Sequence, residues 1–456
     1  MCGFIGYFSK ENINLSKEIH QAIKLIKHRG PDDEFAIVEK NFGLGFARLS
    51  IQDVSLNARQ PMVSENKRLF LVFNGEIYNF KELRNQLLLD GHKFNSKGDA
   101  EVLLKMYEVE GQKCLDKIDG MFSFAIIDKL KNNLFLARDR FGMKPLYIYK
   151  VDKTIFFSSE IKAFIPFTTR GNEWSLNYQY LNEFLIYREL SGEKTFIKNV
   201  SKVLPGHSMN INASLIIKNN KYYDLSVKHG VSNNISLNDN IDFLEEILIK
   251  NIKNHLISDV PVGVTLSGGV DSSLLTALIK KHSNIDLTTY SVAFEEKRAN
   301  GRIVDESKFI NQVNHIYKGK SNFLTLTAKK FSEVWDELIW HNEELLSLPN
   351  SAGIFLISKM ASKKHKVMIS GEGADEMFAG YDNFLRNNLT ISEGSFGVYG
   401  NQSKVTPILQ ENLEFRKNMI KKLTPYSLKN KMTYVLNTKL QTLNNRLDKL
   451  SMANGV

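Results

Sequence analysis

The sequence predicts two domains of different fold class, an α+β domain of stacked sheets and helices followed by an α/β domain with a parallel sheet. The chain has 456 residues, more than one hydrophobic core usually organises. Over about the first 200 residues, runs of alternating hydrophobicity are typical of antiparallel strands. After about residue 225, buried strand segments alternate with helical ones, which predicts parallel strands covered by helices.

Each segment of the first domain has its own pattern. LFLVFNGEIYNF, MFSFAIIDK, LFLARDRFG and TIFFSSEIKAF predict strands, whereas NFKELRNQLLLDG and DAEVLLKMYEVEG predict helices. The stretch VLPGHSMNINASLIIKNNKYYDL is typical of a turn, a short hairpin and a connector. We therefore expect a first domain over residues 1–205, a connector over 206–225 and a second domain over 226–456.

Composition restricts the class of protein. The only cysteines, Cys2 and Cys114, provide neither a disulfide framework nor a zinc site, which favours a reducing cytoplasm. The sequence has no basic segment leading into a long apolar run, so export and membrane spanning are not expected. Most of the net charge of +10 comes from residues 404–449. Their helical spacing favours a solvated basic face, and no nucleic-acid-binding pattern accompanies it.

The chain opens with MCGFIGYF, which places a cysteine directly after the initiator methionine. Initiator methionine is commonly removed when the second residue is small, and Cys2 would then carry a free α-amino group beside its thiol. Such an amine titrates near pH 8 and serves as the general base in N-terminal-nucleophile enzymes. The alternative is a small buried residue at the start of a strand.

In GVTLSGGVDSSLLTALIKK an apolar strand runs directly into a Ser-Gly-Gly loop and then a helix. Glycine amides and serine hydroxyls at a helix N-terminus suit a pyrophosphate group. Asp271 would repel that phosphate unless a cation lay between them, which indicates Mg²⁺. The loop lacks the Gly-Lys-Ser/Thr of a Walker A motif and resembles the loop of enzymes that cleave ATP to AMP and pyrophosphate. A capped helix with a glycine turn is the alternative.

Many short motifs, in one order, resemble the glutamine-hydrolysing asparagine synthetases. Besides MCGFIGYF and the SGGVDSS loop, they are KHRGPDD, ARLSIQD, QPM, FNGEIYNF, KGDAEVLL, DGMFSFAIID, ARDRFGMKPLY, SSEIKAF and ISGEGADEMFAGY. The resemblance runs nearly end to end. It implies an N-terminal-nucleophile αββα sandwich, a class II glutamine amidotransferase domain, followed by an ATP-pyrophosphatase domain.

By this resemblance, Cys2 attacks the side-chain amide of glutamine, and water hydrolyses the resulting thioester to free ammonia. The Asn74 side-chain amide and the Gly75 backbone N–H would stabilise the tetrahedral oxyanion. The positions that match the family's glutamine-binding residues are Arg48, Glu76 and Asp99. For Arg48 and Asp99 taken singly, an ordinary surface charge is the alternative.

The resemblance also assigns ATP to the carboxyl ends of the parallel strands. The matching positions are Leu266, Ser267, Gly268, Gly269, Asp271, Ser272, Phe294, Ser370 and Gly371. Asp375 would share metal or phosphate contacts with Asp271, and Glu372 would act near the acyl-adenylate as the base for incoming ammonia. Helix N-capping is the alternative for both of these acidic residues.

The implied reaction is ATP-dependent amidation of a carboxylate, with aspartate as the first choice of acceptor and glutamine and ATP as the other substrates. A sugar or other metabolite carboxylate stays open, because the stretch HNEELLSLPN usually carries an Asp-Glu-Pro in the family, whereas here Asn342-Glu343-Glu344 is followed by Leu345. We expect this departure, at Asn342-Glu343-Glu344, to touch the acceptor side of the cleft. A non-catalytic glutamine- or nucleotide-sensing relative is a further alternative, and a homodimer is left open.

The end of the sequence, NNRLDKLSMANGV, resembles a family segment that normally continues into further helices and a lysine that neutralises phosphate charge. On this resemblance the chain would be incomplete at its C-terminus. We would then expect glutaminase competence with weak adenylation, and apolar surface exposed where the further helices pack.

Overall fold

A computed structural model describes residues 1–168, 175–225, 237–294, 306–346 and 350–378. The chain divides into two compact units, Met1–Leu176 with Gly192–Ser370, and Asn177–Ser191 with Gly371–Val456. Both the basic stretch over 404–449 and the end NNRLDKLSMANGV lie outside the described residues, so the expectations about them stay predictions.

Strands and helices occur where the hydrophobic patterns predict them. The strands are β1 (Gly3–Ser9), β2 (Asp33–Val38), β3 (Phe42–Arg48), β4 (Met62–Val63), β5 (Leu69–Ile77), β6 (Gly120–Asp128), β7 (Asn133–Arg138), β8 (Tyr147–Val151), β9 (Thr154–Ser158), β10 (Val200–Lys202), β11 (His207–Asn212), β12 (Ile217–Lys221), β13 (Val262–Thr265), β14 (Thr288–Phe294), β15 (Lys320–Leu326) and β16 (Val367–Ile369). The α-helices are α1 (Ser16–Leu25), α2 (Phe80–Leu89), α3 (Asp99–Glu110), α4 (Cys114–Lys117), α5 (Leu181–Tyr187), α6 (Leu237–His255), α7 (Val270–His282), α8 (Ser307–Tyr317), α9 (Ala328–Glu333), α10 (Trp335–Asn342), α11 (Asn350–Ala361) and α12 (Ala374–Phe378).

Two antiparallel sheets pack face to face in the N-terminal part. Sheet I has the order β10-β8-β9-β1-β3-β2, and sheet II has the order β12-β11-β7-β6-β5-β4. Buried side chains such as Phe4, Phe46 and Leu136 fill the space between the sheets. Helix α1 and the 3₁₀ helix Ile161–Phe167 cover the outer face of sheet I, and α2 and α3 cover that of sheet II. This confirms the predicted αββα sandwich.

Strand β1, which follows Cys2, lies in the interior of sheet I between β9 and β3. A Cβ atom on Gly6 of this strand would lie 2.3 Å from the Phe157 ring and 2.9 Å from the Gly43 carbonyl oxygen, so close packing requires glycine there. Because β1 is paired on both sides, Cys2 is attached to the start of a strand that cannot move freely.

The segment we assigned to a connector is attached to sheet II. Strands β11 and β12 form the predicted hairpin, and β11 pairs with β7 from Ser208↔Ala137 to Asn212↔Asn133. Residues 207–221 therefore extend this sheet. The domain limits at 205 and 226 stay predictions.

The later strands form a four-stranded parallel sheet, as predicted, with the order β15-β14-β13-β16. On one side a core that includes Ile252 of α6 and Leu278 of α7 packs against Val264. A second core joins Leu326 of β15 to Leu338 of α10 and Ala352 of α11. In this order β13 lies between β14 and β16, and the carboxyl ends of such parallel strands are where α/β sheets usually bind ligands.

The second compact unit has few described residues. It contains a 3₁₀ turn at Tyr178–Tyr180, helix α5, and the short helix α12. Among the helices in the described part of both units, none is both long enough and apolar enough to cross a membrane.

Candidate active sites

The Cys2 thiol is held by the backbone that follows β3. Its Sγ atom lies 3.4 Å from the Leu49 amide nitrogen, which donates to it, and 3.6 Å from the Leu49 carbonyl oxygen. Burial raises the pKa of the thiol, although the nearby terminal amino group opposes this effect. The resting sulfur is therefore protonated at neutral pH, and attack on a substrate requires a base.

The amino group of Met1 lies in the same environment. Burial and the neighbouring positive charges of Arg29 and Lys144 lower its pKa to about 5. An amine at this place is therefore unprotonated at neutral pH, which is the state that a general base requires. Removal of Met1 would give Cys2 such an amine of its own. That removal stays a prediction.

Asn74 and Gly75 lie near the end of β5, the strand of sheet II that pairs with β6. Asn74 is 1% exposed, and among the residues that the structure describes its buried side-chain nitrogen has no hydrogen-bond partner. A Cβ atom on Gly75 would lie 2.3 Å from the Met121 carbonyl oxygen and 2.7 Å from the Phe122 Cα, so no other residue fits without moving backbone. The strand thus holds an unpaired donor in a rigid frame, as an oxyanion site requires.

Arg48 ends β3 and is buried, which disfavours an ordinary surface charge. Its guanidinium donates to the Ser55 carbonyl oxygen at 2.8 Å and to the Asp53 carbonyl oxygen at 2.5 Å. Burial raises the pKa of the Cys2 thiol, and the positive charge of Arg48 opposes this effect in small part. Arg48 therefore holds the loop at Asp53 and Ser55 in place, and its role as the cation for a substrate carboxylate stays a prediction.

Glu76, which is half-buried, and Asp99, which is buried, are two carboxylates whose charges interact. Burial raises the pKa of Glu76, and repulsion from Asp99 raises it further. Burial also raises the pKa of Asp99, although its carboxylate accepts a 2.9 Å hydrogen bond from the Ile77 amide. Burial makes the charged forms of both carboxylates less stable, and a bound cation would compensate for this. The α-ammonium group of an amino acid is such a cation.

Sequence analysis missed two residues near Glu76 and the terminal amino group. Gln52 donates to the Glu76 carboxylate, and its own side-chain oxygen is buried without a partner. Lys144, within the ARDRFGMKPLY block, is buried beside the terminal amino group, and burial together with the charge of Arg29 lowers its pKa to about 8. Both residues lie in quoted motifs, but their side-chain placement depends on contacts that the motifs do not reveal.

The predicted phosphate loop follows β13 and leads directly into α7. Gly268 has a positive φ of 87°, and Gly269 caps the helix. The Ser267 and Ser272 hydroxyl oxygens lie 2.9 Å apart, and the Gly269 amide donates to the Ser267 oxygen at 3.3 Å. Asp271 is exposed in the first turn of α7. These hydroxyls and amides have the arrangement expected of an anion-binding turn.

The remaining predicted nucleotide contacts lie where their strands end. Leu266 follows β13 and donates its amide to the Tyr290 carbonyl oxygen at 3.0 Å, Phe294 ends β14, and Ser370 follows β16. Gly371 begins the second unit. There Glu372 is exposed before α12, and Asp375 lies in its first turn. Acidic side chains at such positions also stabilise helix starts, so the capping alternative stays open.

Two further observations concern Glu343 and metal binding. Glu343, which we expected on the acceptor side of the cleft, has its carboxylate bound by the backbone amides of Ile161 and Lys162. Among the residues that the structure describes, no group of three or more histidine, cysteine or acidic side chains is arranged to hold a metal ion.

Comparison with known families defines the class of this protein. Residues 1–223 match a glutamine amidotransferase domain, and residues 244–456 match asparagine synthase. The chain is 32% identical over 403 residues to a Methanocaldococcus jannaschii protein provisionally named glutamine-hydrolysing asparagine synthetase 2, with 84% of this chain and 76% of that protein covered. This chain belongs to the family of glutamine-hydrolysing asparagine synthetases, which confirms the resemblance of its motifs.

The chain matches a smaller share of the length of two other relatives. Asparagine synthetase 1 (glutamine-hydrolysing) of Bacillus subtilis is 32% identical over 396 residues, which are 86% of this chain and 60% of that protein. An amidase of Penicillium rubens is 29% identical over 394 residues, 83% of this chain and 57% of that protein. A solved structure of Bacillus subtilis glutamine phosphoribosylpyrophosphate amidotransferase has a TM-score of 0.40 and 13% identity, covering 72% of this chain and 91% of that one, a likeness that carries no argument.

Proposed function

We propose that this protein catalyses ATP-dependent amidation of a carboxylate, with ammonia released from glutamine. The observation that carries the proposal is the buried, unpartnered side-chain nitrogen of Asn74, on a strand fixed by Gly75. An unpaired buried donor costs about 1–3 kcal/mol. A fold that retains one gains a preorganised donor for charge that develops during a reaction.

The glutaminase reaction begins with the Cys2 thiol. After removal of Met1, the free amine of Cys2 takes the thiol proton, and the sulfur attacks the side-chain carbonyl carbon of glutamine. The Asn74 amide and the Gly75 N–H stabilise the oxyanion. Glu76 and Asp99 attract the α-ammonium group of the substrate. Ammonia leaves, and water hydrolyses the thioester to glutamate.

Adenylation is assigned to the loop after β13. An oxygen of the acceptor carboxylate attacks the α-phosphorus of ATP, which gives an acyl-adenylate and pyrophosphate, and ammonia then displaces AMP. Ser267, Gly269 and Ser272 provide the phosphate donors. The exposed Asp271 carboxylate fits Mg²⁺, which takes one or two carboxylates along with phosphate oxygens and neutralises phosphate charge when bound. Glu372 is the proposed base for ammonia, and Asp375 a second metal or phosphate contact.

Aspartate is the proposed acceptor, with asparagine, glutamate, AMP and pyrophosphate as the products. A different carboxylate is the second candidate. This stretch lacks the Asp-Glu-Pro that the family usually carries, and the Glu343 carboxylate accepts hydrogen bonds from the Ile161 and Lys162 amides. Two free cysteines suit the reducing cytoplasm, which is the proposed location, and a homodimer is the proposed assembly.

Pyrophosphate release tests the function. Purified protein is supplied with ATP, Mg²⁺, a panel of carboxylic acids that includes aspartate, and either glutamine or an ammonium salt. Cys2→Ala should abolish the glutamine-dependent reaction and preserve the ammonium-dependent one. Asp271→Ala should stop pyrophosphate release while glutamine hydrolysis continues. If Cys2→Ala loses both activities, the two sites are not separate. Binding of glutamine and ATP without turnover would favour the sensing alternative.

A further inference from the structure

A buried chain of charged side chains connects the α10–α11 region with the backbone of Cys2. Its members have side chains that are between 4% and 9% exposed. In order they are Glu343, Lys162, Glu160 and Arg29. Sequence analysis gave a role to Glu343 alone, on the acceptor side of the cleft, and the mechanism above gives none of the four a catalytic step.

The chain starts at Glu343, which caps the C-terminus of α10 with a left-handed φ of 60°. This backbone directs the carboxylate to the start of the 3₁₀ helix Ile161–Phe167. One oxygen accepts from the Ile161 amide at 2.7 Å and the other from the Lys162 amide, also at 2.7 Å. The first amides of a helix have no partner within the helix, so Glu343 supplies it from more than 180 residues away.

Lys162 forms the next link. Its ammonium nitrogen lies 3.0 Å from Glu343, 3.2 Å from the Trp340 carbonyl oxygen and 2.6 Å from Glu160. Glu343 and the Trp340 carbonyl accept hydrogen bonds from this ammonium group, and the contact with Glu160 is an ion pair. If Glu343 lost its charge, the two buried cations Lys162 and Arg29 would share the single negative charge of Glu160.

Glu160 and Arg29 complete the connection. One Glu160 oxygen accepts from Arg29 at 2.9 Å and lies 3.0 Å from a ring nitrogen of His28. The Nε atom of Arg29 donates to the Cys2 carbonyl oxygen at 2.9 Å. Every contact from Glu343 to the main chain of the nucleophile is thus a direct hydrogen bond or ion pair.

We propose that Glu343 is a positioning residue for Cys2, acting through Lys162, Glu160 and Arg29 to hold the nucleophile's backbone in its reactive place. The expected change in kcat rests on the proposed function. The accessibility of the Cys2 thiol does not, because alkylation measures it without turnover. Because all four side chains are buried, a change at Glu343 is poorly screened by solvent and is transmitted to Arg29.

The test is Glu343→Gln, which keeps the side-chain shape and removes the charge. We measure the rate at which iodoacetamide alkylates Cys2, read by mass spectrometry of the N-terminal peptide, with the fully buried Cys114 as an internal reference. Loosening of Cys2 should raise its alkylation rate about five-fold or more. The kcat for glutamine hydrolysis should fall about ten-fold while KM stays within about two-fold, because small displacements impair attack more than binding.

Lys202→Gln is the matched control. Lys202 forms an ion pair of 2.6 Å with Glu344, the neighbour of Glu343, but that pair is not part of the chain to Arg29. This variant should alkylate and turn over as wild type. An equal effect of Lys202→Gln, or unchanged alkylation and kcat in folded Glu343→Gln, would overturn the proposal.

A second variant covers failure of Glu343→Gln to fold. Glu343→Asp keeps the charge and shortens its reach, so Cys2 alkylation should rise by a smaller factor, and a wild-type rate in this variant would equally refute the proposal. If the wild-type protein had no glutaminase activity, the proposed function would be wrong. The positioning role of Glu343 would still be tested, because alkylation of Cys2 does not require turnover.

Discussion

Replacement of Asn74 by alanine should separate catalysis from stability. The Asn74 side-chain nitrogen is a buried donor without a partner, and the residue is 1% exposed. Its removal relieves an unsatisfied group worth about 1–3 kcal/mol. The small void left behind costs a similar amount. We therefore expect the free energy of unfolding to change by less than about 2 kcal/mol.

Catalysis should respond much more strongly. Loss of one oxyanion donor typically lowers kcat by about 10²–10³, which corresponds to about 3–4 kcal/mol of transition-state stabilisation. The KM for glutamine should change little, since the ammonium and carboxylate groups of the substrate are bound elsewhere. The assay is glutamate release from glutamine without ATP, combined with urea unfolding of the same preparation.

Gln60→Ala is the matched contrast, because this buried amide is fully paired. Its nitrogen donates to the Phe73 carbonyl oxygen at 3.2 Å and its oxygen accepts from the Phe73 amide at 2.7 Å, one residue before Asn74. Its loss should cost about 2–3 kcal/mol of stability by leaving both groups unpaired. A larger loss of stability in Asn74→Ala than in Gln60→Ala, or a kcat within about three-fold of wild type, would refute the reasoning.

Two further predictions concern pH. Burial raises the pKa of Asp99, so lowering the pH neutralises this carboxylate while a free aspartate, with a pKa of 3.8, is still ionised. The KM for glutamine should rise over that range in wild type and stay flat in Asp99→Asn; a flat wild-type profile would contradict the role of Asp99. Burial opposes ionisation of Glu160, but the hydrogen bond from His28 and the neighbouring cations outweigh it and lower the pKa from 4.5 to about 2. Its ionised form therefore stabilises the fold by about 3 kcal/mol above pH 4.5, and this contribution is lost as the pH falls towards 2. In urea unfolding, the cost of Glu160→Gln should shrink on acidification, and a cost independent of pH would contradict the assignment. Glu39→Gln, at an exposed ion pair with Lys129, should show little effect at any pH.

The sequence predicted the features that depend on local pattern. Alternating hydrophobicity identified β5, and the FNGE motif on it placed Asn74 and Gly75 in consecutive positions of one strand. The SGGVDSS loop likewise lies between a strand and a helix, as its composition required. In each case the relevant residues are neighbours along the chain, so periodicity and turn chemistry determine their arrangement.

Contacts between distant segments were not predictable in this way. Arg29 and Glu160 are 131 residues apart, and Lys162 and Glu343 are 181 apart. No periodic pattern reports on which buried charges will meet after folding. Glu343 was accordingly interpreted from its motif, as part of the acceptor side, whereas its carboxylate is engaged by the 3₁₀ helix.

The interior position of β1 has a consequence for synthesis of the chain on the ribosome. The first strand to emerge pairs on one side with Phe42–Arg48 but on the other with Thr154–Ser158, which is made about 150 residues later. Pairings of such long separation form slowly. A nascent chain shorter than this cannot complete the strand pairing on both sides of β1, so the surroundings of Cys2 are complete only after β9 has been translated and has joined the sheet.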